Sequence, residues 1–240
     1  MPFDEDNSST AIDVGDYRNH GVLGNSTTGS QPSLNRTDCI TGTCYTFDGV
    51  DDFINITNNQ VFNFSYNKSF SIEAWVYIRG NHGGQSGFGA IFDRLVPGTA
   101  TGYRLDYSTS LNQFRLLSRP EVDIDYVLSQ NQWYHVVAVS NGTNGTIYVN
   151  SNVIGSGSFG IPSDNNVGPL IGNAQNFDAD WNGSIDNVRI YNKALTANEI
   201  KDHYEKYKLY YQPSFKFDGV NDVINITYRD SLNNTKAVSV

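Results

Sequence analysis

Apolar and polar residues alternate with a period of two along most of the chain. In Phe70-Ser71-Ile72-Glu73-Ala74-Trp75-Val76-Tyr77-Ile78 the alternation sends Phe70, Ile72, Ala74, Val76 and Ile78 to one face and Glu73, Trp75 and Tyr77 to the other. Both faces are largely apolar or aromatic, which predicts a central strand. Further strand-like runs follow at Ala90 to Leu95, Tyr103 to Tyr107, Gln113 to Leu117 and Val122 to Leu128. Trp133 to Val139 then leads through the Gly-rich turn Asn141-Gly142-Thr143-Asn144-Gly145 into Thr146 to Asn150, a hairpin signature. Leu170 to Gly172 and Ser184 to Tyr191 supply the last strands. One segment changes period: Thr196 and Glu199 form a capping box, and Ile200, Tyr204 and Tyr207 line one side of a helix that runs to about Lys208. Many short strands at meander spacing predict an all-β, two-sheet antiparallel β-sandwich closed by one short C-terminal helix.

The string Phe47-Asp48-Gly49-Val50-Asp51-Asp52-Phe53-Ile54-Asn55-Ile56-Thr57 returns almost unchanged as Phe217-Asp218-Gly219-Val220-Asn221-Asp222-Val223-Ile224-Asn225-Ile226-Thr227. Asp-Gly suits a turn or bulge at positive φ, and the alternating isoleucines read as a half-buried strand. The expected organisation is one domain over residues 1–211 and the truncated start of a second, similar repeat over 212–240. Having no partner strand of its own, the second copy is expected to pair with a sheet edge or to exchange between chains.

Composition narrows the function classes. At 240 residues with 38% hydrophobic and 13% aromatic content the chain can bury one large core. A formal charge of −9 argues against nucleic acid or an anionic membrane surface as partner, since either calls for a basic patch. No run approaches the roughly 18 apolar residues of a membrane span, and Met1-Pro2-Phe3-Asp4 lacks the basic-then-apolar pattern of a signal peptide. Cys39 and Cys44 enclose a four-residue loop containing Gly42 and suit a disulfide better than a metal site; a reduced pair of small core residues is the alternative. Sequons begin at eleven asparagines, Asn25, Asn35, Asn141 and Asn182 among them, and with the cysteines they favour a secreted or surface-displayed protein.

Phe-Asp-Gly-Val-Asp-Asp-Phe-Ile at 47–54, Ser-Phe-Ser-Ile-Glu-Ala-Trp-Val at 69–76, Trp-Tyr-His-Val-Val-Ala-Val at 133–139 and Asn-Gly-Ser-Ile-Asp-Asn-Val-Arg-Ile-Tyr at 182–191 occur in that order. Together they resemble the laminin-G-like, concanavalin A-like lectin/glucanase superfamily, which implies a jelly-roll sandwich from about Phe3 to Tyr207. The superfamily includes lectins, adhesion modules, glycosidases and accessory domains. The resemblance therefore implies a carbohydrate-binding or adhesion module of a multidomain surface protein, its partner a glycan or a glycosylated protein.

Four constellations could carry chemistry. Strand parity puts Asp186 on the face of Val188 and Ile190, where a carboxylate must be paired or bound to a cation. Calcium is one partner, with oxygens offered by Asp13, Asp48 and nearby carbonyls; the resemblance points to Asp186 and the Asp48-Gly49 turn as the positions of a structural calcium. Backbone amides or Arg189 are the alternative partners of Asp186. Glu121-Val122-Asp123-Ile124-Asp125-Tyr126 resembles the catalytic strand of laminarinase-type glucanases, with Glu121 and Asp125 as the acids, but Trp133-Tyr134-His135 follows too soon for that layout and the run reads as a solvated strand face. Trp75, Tyr77, Tyr103 and Tyr107, with Phe114, could form a sugar-stacking platform, although such residues are more often core. His20, His82, His135 and His203 show no metal-ligand spacing. A purely structural spacer in a surface array is the third reading of the whole.

Overall fold

The computed structural model of the protein describes residues 9–211 except 28, 58–59, 66–68, 85–86, 100 and 161; the repeat at 217–227, and the strand exchange expected of it, lie outside the described residues. Fifteen strands are formed: β1 (Thr10–Ala11), β2 (Gly21–Leu23), β3 (Ser33–Asn35), β4 (Cys44–Asp48), β5 (Ile54–Ile56), β6 (Phe70–Ile78), β7 (Phe88–Asp93), β8 (Arg104–Ser108), β9 (Gln113–Leu117), β10 (Val122–Asp125), β11 (Trp133–Ser140), β12 (Asn144–Val149), β13 (Asn152–Ser158), β14 (Leu170–Ile171) and β15 (Asn182–Tyr191), followed by helix α1 (Ala197–Tyr211). They pair antiparallel into an eight-stranded sheet, β1-β2-β5-β14-β7-β8-β9-β10, and a seven-stranded sheet, β13-β12-β11-β6-β15-β4-β3. The fold is the all-β sandwich with one helix that the alternation predicts.

The core lies between the sheets. Phe70, Ile72, Ala74, Val76 and Ile78 of β6 face Ile91, Leu105, Tyr107, Phe114 and Leu116 of the opposite sheet, with Tyr103, which precedes β8, beside them. Burying such side chains contributes about 1.5–3 kcal/mol each. The four strands at the sheet margins differ from the interior ones: β1 has two residues, β3 has three, β10 alternates Val122 and Ile124 with exposed Asp123 and Asp125, and β13 carries Gly155, Gly157 and three serine or asparagine residues.

The outward face of the seven-stranded sheet is also covered, which explains why β6 is apolar or aromatic on both sides. Ile40, Cys44, Trp75 and Trp133 form a second cluster with Cys39, Tyr77, Tyr204 and Tyr207. The cover comes from the 39–44 loop, closed by a Cys39–Cys44 disulfide, and from α1, whose Tyr204 ring stacks on Trp75 at 5.8 Å. The capping box forms as read: the Glu199 amide donates to Thr196 Oγ1 at 3.3 Å and the Thr196 amide to Glu199 Oε2 at 2.8 Å. Lys193 pairs with Glu199 beside it.

At the centre of this outer layer sits Glu73, fully buried. His135 Nε2 lies 2.9 Å from one oxygen and Arg189 Nη1 3.4 Å from the same one; His203 Nδ1 at 3.0 Å and the Tyr191 hydroxyl at 2.8 Å engage the other. Burial alone would raise the Glu73 pKa, but the hydrogen bonds from His135 and His203 and the charge of Arg189 hold it well below the usual carboxylate range. Arg189 in turn reaches the Tyr207 hydroxyl at 2.5 Å, so one carboxylate ties β6, β11 and β15 to α1.

Two outcomes follow from this layer. Glu73→Gln should lower stability by about 3–5 kcal/mol near neutral pH, the cost of breaking a buried charge network. Because the folded-state pKa is depressed, that stability is present above the unfolded value near 4 and is lost as pH falls; the gap between wild type and variant in urea titrations should narrow below about pH 4. Reducing the Cys39–Cys44 bond should cost only about 2 kcal/mol, because so short a loop restricts few unfolded conformations; paired urea titrations with and without reductant measure it.

Candidate functional site

At one end of the sandwich three loops converge: the β4–β5 turn, the loop from β6 to β7, and the loop from β14 to β15. The turn begins with Asp48-Gly49, and Gly49 adopts φ +80°, the conformation that the Asp-Gly step predicts. Asp48 Oδ1 accepts from the Val50 amide, and Asp52 Oδ2 accepts from the Asp48 amide, each at 2.8 Å. Gly83 of the second loop lies so close to the turn that a Cβ there would stand 1.9 Å from the Gly49 carbonyl oxygen. The Gly83 amide donates to the Asp180 carbonyl at 3.1 Å, which brings in the third loop. Asn182, opposite Asp48 in register, closes the junction through its side chain to the Asn81 carbonyl at 3.0 Å.

This end is acidic. One carboxylate oxygen from each of Asp48, Asp51 and Asp52 lies within 4.8 Å of the others. Asp51 also accepts from the Ser30 hydroxyl at 2.8 Å. Burial pushes the Asp52 carboxyl up to about 6, helped by the charges of Asp48 and Asp51. Asp180, held by Asn173 Nδ2 at 2.5 Å, is pushed up to about 6 by burial and by Asp51, Asp178 and Asp48. The donor set is all oxygen, which fits a hard cation such as calcium better than zinc. His82 of the second loop turns its Nδ1 to the Asn182 amide, accepting at 3.1 Å, its ring lies 4.3 Å from Trp181, and burial pushes its pKa down to about 3. Beside the acids an aromatic ring stands in solvent: Phe177 is 54% exposed and meets Phe53 edge-on at 5.3 Å.

The structure separates the residues expected to hold a cation, Asp186, Asp48, Gly49 and Asp13. Asp48 and Gly49 belong to the acidic end. Asp186 does not: it is fully buried on the outward face of the seven-stranded sheet, accepting from the Ile40 and Thr41 amides at 3.0 and 3.2 Å and from the Asn187 amide at 2.6 Å. The parity argument failed because β15 is bulged. Its register shifts between Asp186 and Arg189, with Asn187 at φ +51°, so Val188 returns to the core while Asp186 points at the disulfide loop. Backbone amides answer its charge. Asp13 closes its own loop, accepting from the Gly15 amide at 2.9 Å and the Asn19 amide at 2.7 Å.

The aromatic platform is likewise divided. Tyr103 and Tyr107 point into the core, their hydroxyls donating to the Phe62 and Tyr126 carbonyls at 3.0 and 3.2 Å, and Phe114 lies beside them. Trp75 and Tyr77 face the other way, beneath α1 and the disulfide loop. These four rings cannot share one sugar, because two separate layers of the sandwich bury them. Glu121, Asp123 and Asp125 occupy the exposed face expected of them, Asp125 accepting from Gln113 Nε2 at 3.0 Å. Asp51, Asp52, Asp180 and Phe177 were missed, although Asp51-Asp52 and the string Asn176-Phe177-Asp178-Ala179-Asp180, an acidic loop with one aromatic between two strands, gave the signal.

Two antiparallel sheets in this order define the jelly-roll β-sandwich class. Residues 48–201 match the Laminin_G_3 family, described as concanavalin A-like lectin/glucanases superfamily, and the match spans well over half of the chain: the protein belongs to this family. No curated protein sequence matches it. Among solved structures it is similar to domain 4 of AbnA, a GH43 extracellular arabinanase from Geobacillus stearothermophilus in complex with arabinotriose, at 19% identity and TM-score 0.60, over 76% of this chain and 86% of that one. It is also similar to the binding domain of botulinum neurotoxin serotype G, at 16% identity and TM-score 0.60, over 81% of this chain and 48% of that one. Trypanosoma rangeli sialidase in complex with sialic acid matches at 20% identity and TM-score 0.63, over 88% of this chain and 33% of that one. The chain thus spans about half of the toxin domain and a third of the sialidase. At these identities the likeness is one of fold.

The acidic end has a pH signature. Asp52 and Asp180 have folded-state pKa values raised above the unfolded value near 4, so the folded protein holds extra protons, and its stability should fall as pH rises from about 4 through about 6 in chelator. Asp52→Asn, which keeps an acceptor for the Asp48 amide, should flatten this fall. Urea midpoints of wild type and variant at about pH 4 and pH 8 test it, and parallel pH profiles would refute it.

Proposed function

We propose that the domain is a carbohydrate-binding module of a secreted or surface-displayed protein, and that calcium at the acidic end supports its ligand loops. The observation that carries this reading is the pairing of crowded carboxylates with an exposed ring: Asp48, Asp51 and Asp52 in one turn, Asp180 beside them, and Phe177 standing free of the core. A cation would relieve the repulsion that pushes Asp52 and Asp180 up, and would fix the loops that display Phe177. The ring offers a sugar an apolar surface for its C–H face. The structural relatives, a domain in complex with arabinotriose and a toxin binding domain, support a role in binding. The disulfide suits an oxidising compartment, and among the described residues no helix is long and apolar enough to cross a membrane.

Binding is favoured over glycoside hydrolysis by the surroundings of Glu121 and Asp125. An acid catalyst at neutral pH needs an environment that keeps one carboxyl protonated, usually burial, and all three acids of this strand face solvent. The buried and pKa-raised carboxylates lie in other elements.

Calcium should raise the melting temperature of the wild type, and Asp51→Asn should abolish most of that gain. Phe177→Ala should weaken glycan binding about tenfold in the presence of calcium while leaving the melting temperature within a degree or so. Isothermal titration against a panel of arabino-, gluco- and sialo-oligosaccharides, with differential scanning of the same samples, reads both. Melting indifferent to calcium and chelator would remove the ion; binding unaffected by Phe177→Ala would move the sugar away from this end.

A further inference from the structure

Eleven Asn-X-Ser/Thr triplets stand in a chain whose 28 asparagines and 38 serines and threonines among 240 residues would give about four by chance. Period-two alternation accounts for part of the excess, because it sets polar residues i and i+2 on one strand face, as in Asn144-Gly145-Thr146 of β12. Asn141-Gly142-Thr143 and Asn35-Arg36-Thr37 need another reason. The first fills the turn between β11 and β12, and the second runs off the end of β3.

Seven of the triplets begin among the described residues, and the structure sorts them. A sugar on Nδ2 requires that nitrogen outside the fold, whether transfer precedes or follows folding. Asn63 fails, its Nδ2 donating to Gln60 Oε1 at 2.8 Å and its Oδ1 accepting from the Asn165 amide at 3.2 Å. Asn182 fails too: its Nδ2 donates to the Asn81 carbonyl, and a Cβ on Gly80 would stand 2.9 Å from that nitrogen. Asn25 and Asn55 hold each other, one amide donating to the other at 2.6 Å, so a sugar on either meets the partner side chain.

Asn141 is built differently. It is exposed, and its Oδ1 accepts from the Thr143 amide and hydroxyl, each at 3.1 Å, and from the Asn144 amide at 2.8 Å. Three donors converging on one atom make that atom the oxygen and leave Nδ2 with no partner among the described residues. Asn35, half-buried at the sheet margin, repeats the arrangement: its Oδ1 accepts from the Thr37 amide at 2.9 Å and the Thr37 hydroxyl at 3.1 Å. In both, the hydroxyl that completes the triplet clamps the acceptor amide. Asn144, also exposed, shows no such clamp from Thr146 among the described residues.

We infer that Asn141 and Asn35 are N-glycosylation sites, each taking the reducing-end sugar of an oligosaccharide carried on a polyisoprenyl phosphate. The bond from Nδ2 to the sugar's anomeric carbon forms as the bond from that carbon to the phosphate oxygen breaks. The phosphate leaves with the electron pair, and Nδ2 gives up one proton. The inference does not rest on the acidic end. Ser140, next to Asn141, is in register with Phe70 at the start of β6, whereas Gly183, beside the acidic loops, is in register with Ile78 at its finish. Eight strand steps put about 26 Å between them, so a sugar on this hairpin leaves the acidic loops open.

The test secretes the full chain, behind an added leader, from a host that performs N-glycosylation. The folded fraction is released from its sugars by glycosidase in heavy-oxygen water, which converts each occupied asparagine to a labelled aspartate for peptide mapping. Asn141 and Asn35 should be labelled in most molecules, and Asn63 and Asn182 in none. Thr143→Val should remove one glycan mass and the label at Asn141, and Thr143→Ser, which keeps the hydroxyl, should retain both. Absence of label at Asn141 or Asn35, label at Asn144 in place of Asn141, label at Asn63 or Asn182 in the folded fraction, or an unchanged glycan mass in Thr143→Val would each overturn the inference.

Discussion

The outer layer of this sandwich depends on one buried carboxylate. Glu73 has no solvent, and an isolated charge there would cost several kcal/mol. Three of its four partners come from β11 and β15 and the fourth, His203, from α1, so docking the helix completes the set that keeps Glu73 ionised. Apolar contact alone would leave α1 free to slide across Trp75 and Val137. The hydrogen-bond geometry at Glu73 removes that freedom by fixing where His203 and Tyr207 must stand. The same helix then seals Trp75 and His135, which is why rings that look available in the sequence are not available in the fold.

A different economy governs the loop end. There carboxylates are crowded with few compensating cations, and burial has raised Asp52 and Asp180 instead of pairing them. Elsewhere buried carboxylates are met by donors, Asp186 by three amides, Asp106 by two bonds from Arg115 and Asp93 by the Leu95 and Gln175 amides, though burial raises Asp93 and Asp106 as well. The acids of the Asp48–Asp52 turn crowd one another beside the exposed Phe177, the arrangement on which the proposed binding role rests.

How much of this could be read beforehand depended on the range of the interaction. Local signals held: the Asp48-Gly49 turn takes the positive φ its residues require, the Thr196 and Glu199 box caps α1, the alternation of β6 assigns both faces correctly, and the two cysteines pair. The failures came where one residue changes the period or where distant segments meet. A single left-handed residue, Asn187, reverses the parity that had aligned Asp186 with Val188, and no pattern in Ser184 to Tyr191 announces it. Trp75 and Tyr103 each alternate as good strand residues, but only the sheet order shows that they face opposite layers. Asp52 and Asp180 are separated by most of the domain, and it is Gly83, tolerating a backbone contact that any side chain would block, that lets their loops touch.

The margins of the two sheets have a consequence for crowding. Wherever such sandwiches stand at high local concentration, any long, flat, apolar strand margin would recruit a neighbour's backbone. Here β1 and β3 offer two and three residues, too few to template a ladder, and β10 alternates its apolar residues with Asp123 and Asp125. On β13, Gly155 admits Ile124 so closely that a Cβ would stand 2.4 Å from it, which brings the margins of the two sheets together. Such margins resist sideways fusion, so copies of the domain can lie next to one another as separate beads instead of merging into fibrils.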